Sequence, residues 1–419
     1  MNDILELRFA LDTFYLLICG ALVLWMAAGF TMLEAGLVRA KNTTEILTKN
    51  IGLFCIACLM YYLSGYAIMY PANASNAYWP GFATLIPSNL ASGEWLAQAE
   101  RGETSLSYAN MADFFFQVVF VATAMSVVSG AVAERMKLWA FFTFSVVMCG
   151  LIYPIQGFWK WGGGFLDQAG FVDFAGSGIV HLCGASAALA GIITLGPRMG
   201  KYSKNGRINA IPGANLPLAA LGTIILWFGW LGFNGGSELA ISNIDEANTV
   251  ALVFVNTTLA AAAGGIAATL TAQLVLKKPD LTMLLNGVLG GLVSITAAPD
   301  SPAPWLAIVI GIIGGVLVVL AVLAIDRIKL DDPVGALSVH GVCGIWGLLA
   351  VPLSQADASF SVQLLGIGSI AGFVFFTSLI CWLILKVTVG IRVAEQVEYD
   401  GLDLHECGMH AYPEFMHKA

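Results

Sequence analysis

Long apolar stretches separated by short polar links run the length of this sequence. The runs fall at about 10–31, 46–70, 113–134, 137–158, 175–196, 214–236, 248–275, 281–299, 303–325, 333–353 and 361–391. A hydrocarbon core about 30 Å thick takes roughly 20 apolar residues per helix, so each run reads as one crossing. Eleven crossings put the termini on opposite sides of the bilayer. The expected fold class is an all-α polytopic membrane protein. Composition agrees: 58% of the 419 residues are hydrophobic and 11% charged, where a soluble domain carries about 25% charged residues. A soluble enzyme, a nucleic-acid binder and a disordered scaffold are all excluded.

Charge placement then sets orientation. With the N-terminus outside, the inner segments hold Arg39, Lys41, Lys49, Arg135, Lys137, Arg198, Lys201, Lys204, Arg207, Lys277, Lys278, Arg327, Lys329, Lys386, Arg392 and Lys418. The outer ones hold only Arg8, Arg101 and Lys160. By the positive-inside rule the expected topology is N-out and C-in, in a plasma (inner) membrane. Asp3 and Glu6 stand where the basic region of a signal peptide belongs, so the start reads as a retained helix. The longest outer loop, about 71–112, is acidic through Glu94, Glu100 and Glu103. Seven of the 8 cysteines lie in the spans and the other is Cys407. They read as small hydrophobes, not as a disulfide framework.

Two of the five histidines lie inside spans, where an ionisable group is costly and signals function. Their contexts match: Asp173-x2-Gly176-x3-Val180-His181 and Asp332-x2-Gly335-x3-Val339-His340. The topology brings the first into the membrane from outside and the second from inside, the mark of an inverted repeat. Asp is a preferred N-cap, and Pro333 suits the first helical position. Eight helical residues at 1.5 Å each set either His about 12 Å below its cap, near the midplane. The alternative is two unrelated core histidines.

Aromatic residues add a second pattern. Trp227-Phe-Gly-Trp230-Leu-Gly-Phe233-Asn-Gly-Gly-Ser237 ends span 6 at the outer face, span 3 carries Phe116 and Phe120, and Trp159 and Trp161 follow span 4. Ring faces attract cations, more so when desolvated. The alternative is an interfacial aromatic belt, which best suits Trp159, Trp79 and Trp95.

These residues together resemble the ammonium transporter (Amt/Mep/Rh) family, in its bacterial Amt-type form. The likeness runs from Gly29-Phe-Thr-Met-Leu-Glu34 through Gly130-Ala-Val-Ala-Glu134-Arg135, Trp161-Gly-Gly-Gly164, Phe233-Asn-Gly-Gly-Ser237 and Asp331-Asp332-Pro333 to Val339-His340-Gly-Val-Cys-Gly344. It implies a homotrimer of subunits, each with its own pore between two inverted five-helix halves, about 10–196 and 214–353. An eleventh helix, about 361–391, straps the outside; 1–391 would form the membrane domain and 392–419 a cytoplasmic regulatory tail. Phe120, Trp161, Phe233 and Ser237 would recruit ammonium, and Phe120 and Phe233 would gate the pore. His181 and His340 would line it as hydrogen-bond partners or proton carriers. Asp173 would shape the recruitment site, handle the proton, or only cap its helix. Glu134-Arg135 reads as helix packing and an inner turn, not a site. No cofactor, metal or enzymatic chemistry is implied.

The tail resembles a region that engages a PII-type regulator in bacterial relatives, but His405-Glu-Cys407-Gly-Met-His410 departs from the usual His-Gly-Glu pattern. His405, Cys407 and His410 offer metal donors or do nothing. Gly335 stands where some relatives carry a third acidic residue. Three other readings stay open. A metal-ion permease would use His181 with Cys183 and His340 with Cys343, although two-residue spacing turns Cys183 about 200° from His181. A sensor would signal through the tail, and an Rh-type channel would pass neutral gas.

Overall fold

The structure is a computed structural model that describes residues 2–82, 84, 98 and 107–415. Glu94, Trp95, Glu100, Arg101, Glu103, His417 and Lys418 lie outside the described residues. The apolar runs fold as α1 (Asn2–Leu37), α2 (Ala40–Met69), α3 (Asn110–Ala131), α4 (138–160), α5 (Ser177–Leu195) and α6 (Leu216–Gly236). After them come α7 (Ile244–Leu276), α8 (Leu281–Ile295), α9 (Pro304–Arg327), α10 (Leu337–Leu353) and α11 (Phe360–Thr388). Two short helices, α12 (Glu395–Asp400) and α13 (Leu402–Cys407), and a 3-10 turn at Pro413–Phe415 follow in the described tail. Large apolar side chains remain exposed along the exterior, among them Phe14, Ile266, Leu274, Phe376 and Ile384. That surface is stable against lipid and costly against water.

Two helices are shorter than their apolar runs. The 15 residues of α8 rise about 22 Å, and α10 starts at Leu337 rather than 333. The missing crossing length is supplied by non-helical backbone, Thr296–Ala298 after α8 and 331–335 before α10. Thr296, Ala297, Ala298 and Asp331 are buried. Irregular backbone is tolerated at membrane depth when protein rather than lipid surrounds it. At the other extreme, α1 extends the expected 10–31 to Asn2–Leu37, with no proline in that stretch to break it.

The duplicated motif folds in duplicate, though not as a plain capped helix. Residues 173–176 are not helical, so His181 lies in the first turns of α5 and not eight helical residues below Asp173. The Asp173 Oδ2 accepts from the amides of Gly178 and Ile179 at 2.9 and 2.8 Å. Asp332 accepts from Ala336 and Leu337 at 2.9 and 2.7 Å. Gly176 (φ 104°) and Gly335 (φ 84°) both take left-handed backbone between carboxylate and helix. Pro333 consequently lies in the loop, not at the first helical position. Each helix then opens with a π turn, Ser177–Leu182 and Leu337–Val342, and each turn carries its histidine. Such wide turns recur at functional sites because they re-aim a side chain.

On the side of the molecule bearing Arg198, a buried ion-pair cluster fixes the helix ends. The Arg198 guanidinium bonds Asp331 through Nε and Nη2, both at 2.9 Å, and Glu134 through Nη1 at 2.9 Å. Arg39 also pairs with Glu134 at 2.9 Å. Burial alone would raise both carboxyl groups. The arginines outweigh it, holding Asp331 at about 2 and Glu134 below its usual range. Burial lowers Arg135 to about 10, and its fork is spent on the carbonyls of Gly196, Ala133 and Asp331. These contacts agree with the packing role read from Glu134-Arg135.

Candidate functional site

Helix α3 presents Phe116 and Phe120 on one face, and α6 presents Trp230 and Phe233 opposite them. Phe120 and Phe233 stack with centroids 4.0 Å apart and planes 24° from parallel. Trp161, just past α4, meets Phe120 edge-on at 5.9 Å. Its indole donates to the Asp173 carbonyl at 3.0 Å, tying it to the loop that leads into α5. Above these rings lies a cavity of about 430 Å³ lined by Phe116, Phe120, Trp161, Ser237, Tyr66 and Asp113, among others. The Ser237 hydroxyl faces it while donating to the Phe233 carbonyl at 2.9 Å.

Beneath the stacked phenylalanines the two histidines meet. Their Nδ1 atoms are 3.1 Å apart and their rings nearly parallel, with centroids at 5.1 Å. One Nδ1 must therefore carry a proton and the other accept. His181 lies against Trp230 at 4.9 Å and Phe233 at 5.5 Å. Both rings are buried, and the His181 Nε2 has no hydrogen-bond partner. Trp230 is held in turn by its indole N–H to Thr296 Oγ1 at 2.8 Å, and Thr296 donates to Leu292.

Past His340 a small cavity of about 20 Å³ is lined by Phe30, Glu34, Ser126, Leu289 and His340 itself. It shares Asn286, Val334 and Gly335 with a third cavity, of about 300 Å³, which reaches Arg198 and Lys201. A file of rings thus joins two cavities on opposite sides of the molecule. The sequence-selected residues Phe120, Trp161, Phe233, Ser237, His181 and His340 all stand along it. Asp173 does not line the cavity; one carboxylate oxygen bonds α5 amides and Oδ1 has no partner. Trp159 is buried, with its N–H on the Tyr78 carbonyl, so it is a packing residue and not part of an aromatic belt. Unforeseen residues are Tyr66, Tyr70, Tyr108, Asp113 and Gln117 in the first cavity. Helical spacing from Phe116 and Phe120 was the available signal for Asp113 and Gln117.

The profile of the Ammonium Transporter Family matches residues 14–412. The chain belongs to the ammonium transporter family. It is therefore a non-enzymatic, multi-pass helical protein of ammonium transport across a membrane. It is 40% identical to the ammonium transporter Amt2 of Archaeoglobus fulgidus, over 97% of this chain and 89% of the relative. Among solved structures it resembles one named Sensor Amt Protein, with a TM-score of 0.85 and 32% identity over 96% of this transporter and 99% of that chain. Mep2 of Candida albicans superposes with a TM-score of 0.82 at 26% identity, covering 98% of this chain and 92% of its own. The fold class expected from the sequence, an all-helical polytopic membrane protein of about eleven helices, is thereby secured. Among the described residues no group of three His, Cys, Asp or Glu side chains is arranged to hold a metal ion.

Proposed function

We propose that this transporter recruits NH4+ at Phe120, Trp161, Phe233 and Ser237, deprotonates it, and conducts NH3 past His181 and His340. The observation that carries the reading is the unbroken file from the 430 Å³ cavity through the Phe120–Phe233 stack to the 3.1 Å histidine contact. Moving a small ion into low dielectric costs on the order of 20 kcal/mol by the idealised Born estimate. Cation–π contacts of about 2 kcal/mol concentrate the ion at the mouth but do not offset that cost. Desolvation instead favours release of the proton. Neutral ammonia then crosses apolar walls, with the imidazoles as hydrogen-bond partners and proton carriers. Potassium has no proton to release, and selectivity follows from that difference. The carboxylate of Asp173 acts on this site through position, since it orders the loop whose carbonyl holds Trp161.

The same reading places the N-terminus and the Trp161 side outside, and the Arg198 side and tail in the cytoplasm. It takes residues 1–391 as the membrane domain of a homotrimer and 392–419 as a tail that engages a PII-type regulator. Replacing both His181 and His340 with Leu tests the mechanism in proteoliposomes. The expected result is loss of ammonium-selective uptake; undiminished, selective uptake in the double variant would refute the pore. Likeness to the structure named Sensor Amt Protein supports a second reading, in which ammonium binding is signalled through the tail. Tail rearrangement on ammonium binding without flux favours that alternative.

A further inference from the structure

The cavity on the Trp161 side is far larger than one ammonium ion requires. Its volume is about 430 Å³, whereas a water-sized particle takes up about 30 Å³. Only part of its wall is the aromatic group above Phe233. Apart from Phe174 and Leu239, the remainder is Tyr66, Tyr70, Tyr108, Asn110, Asp113 and Gln117. Asp113, Phe116, Gln117 and Phe120 recur at i, i+3, i+4 and i+7 on α3, so one helix face carries both walls.

The chemistry of this second wall is that of a cation site. Asp113 is nine-tenths buried; the Tyr66 hydroxyl donates to its Oδ2 at 2.5 Å, and the Gln117 side chain, whose amide nitrogen is the only donor it has, also bonds the carboxylate. Among the described residues no Lys, Arg or His pairs with it. One turn on, the buried Gln117 Oε1 has no hydrogen-bond partner and its side chain lines the same cavity. A buried acceptor left unpartnered costs about 1–3 kcal/mol, which a bound cation would recover. Tyr66 and Tyr70 close the side with rings 5.1 Å apart.

We propose that Asp113 and Gln117 form a separate station for a small monovalent cation, which loads ammonium ahead of the Phe120–Phe233 stack. The inference rests on the ammonium-transport reading and adds to it a division of labour. A carboxylate and an amide oxygen hold K+ as readily as NH4+, because neither asks the ion to give up a proton. The station concentrates cations without choosing among them, and the choice is made deeper, at the rings and histidines. Potassium should therefore compete for the mouth although it is not carried.

The test is uptake of ammonium into proteoliposomes against a K+ series, in the unmodified protein and in Asp113→Asn. The Asn oxygen still accepts from Tyr66, so the variant keeps the local structure while losing the charge. In the unmodified protein K+ should raise the half-saturation for ammonium and leave the maximal rate alone. In Asp113→Asn half-saturation without K+ should rise at least about tenfold, the scale of a lost charged hydrogen bond, and K+ inhibition should disappear. Unchanged half-saturation and unchanged K+ inhibition would overturn the station while leaving the pore intact. A fall in maximal rate alone would also overturn it, since that is the effect of a merely structural residue. Absence of ammonium-over-potassium flux in the unmodified protein would defeat the transport reading and the station with it. If Asp113→Asn does not fold, Rb+ diffraction from crystals of the unmodified protein decides. A peak between Asp113 and Gln117 is expected, and an empty wall at an Rb+ concentration that inhibits uptake would overturn the proposal.

Discussion

Single side chains in this protein do two kinds of work, and burial tells them apart. Arg198 is structural: its buried fork neutralises Asp331 and Glu134. Arg198→Ala would strand Asp331, while Glu134 keeps Arg39, and should cost about 3–5 kcal/mol. That loss is measurable as a lower thermal midpoint in detergent. Its pH dependence has a definite sign. Asp331 falls from 3.8 to about 2 in the folded protein. The contribution is therefore complete above about pH 4 and fades as pH drops towards 2. Without Arg198, burial raises the Asp331 carboxyl, so the variant loses further stability as pH rises. The gap between variant and unmodified protein should widen from pH 3 to pH 7, and a constant gap would place the effect elsewhere.

At the level of elements, the pore histidines depend on what precedes their helices. Gly335 has φ 84°, and a Cβ there would lie 2.7 Å from Asn286 Nδ2. Gly170 has φ 81° but open space around it. Both alanine variants incur left-handed strain of about 1–2 kcal/mol. Gly335→Ala should lose more, because it also displaces Asn286 and the turn carrying His340. Equal shifts in thermal midpoint for the two variants would show that backbone strain alone matters. Helix α11 acts as a clamp in the same region. Gln363 accepts from the Val172 amide at 3.0 Å and donates to the Val172 and Leu348 carbonyls at 2.8 and 3.0 Å. One side chain thus secures the loop before α5 to the end of α10.

Across the whole molecule, the tail is bonded to the helix ends it covers. Asp403 accepts from the Glu45 amide and Glu406 from the Leu138 amide, both at 2.9 Å, which caps α2 and α4. Glu398 accepts from Met199 at 2.6 Å and pairs with Arg392 at 2.7 Å, beside the end of α5. Lys41 donates to the Glu398 and Tyr399 carbonyls. A carboxylate cap contributes about 1 kcal/mol. Asp403→Ala with Glu406→Ala should therefore speed hydrogen exchange at Glu45 and Leu138 and expose the tail to protease. Exchange at the unmodified rate would mean the tail is held by its other contacts. Within this arrangement His405 lies 3.9 Å from Asp400, while Cys407 contacts Thr48 on α2.

The sequence alone determined the crossings, because apolar length is a local property that the bilayer reads residue by residue. It also determined the inverted pairing of α5 with α10, since the two Asp-Gly-Val-His strings are visible in one dimension. Phe120, Trp161, Phe233 and Ser237 stood out as an aromatic and polar pattern, and only the resemblance joined them into one site. Tertiary structure decided the rest. Burial shortened α8 and α10 by letting coil stand at membrane depth, and left-handed glycines replaced the simple caps expected at Asp173 and Asp332. Only packing put Nδ1 beside Nδ1, since the two histidines lie 159 residues apart on α5 and α10. The acidic wall at Asp113 was hidden for the same reason: one carboxylate near a helix start looks ordinary until the tyrosines of α2 close around it.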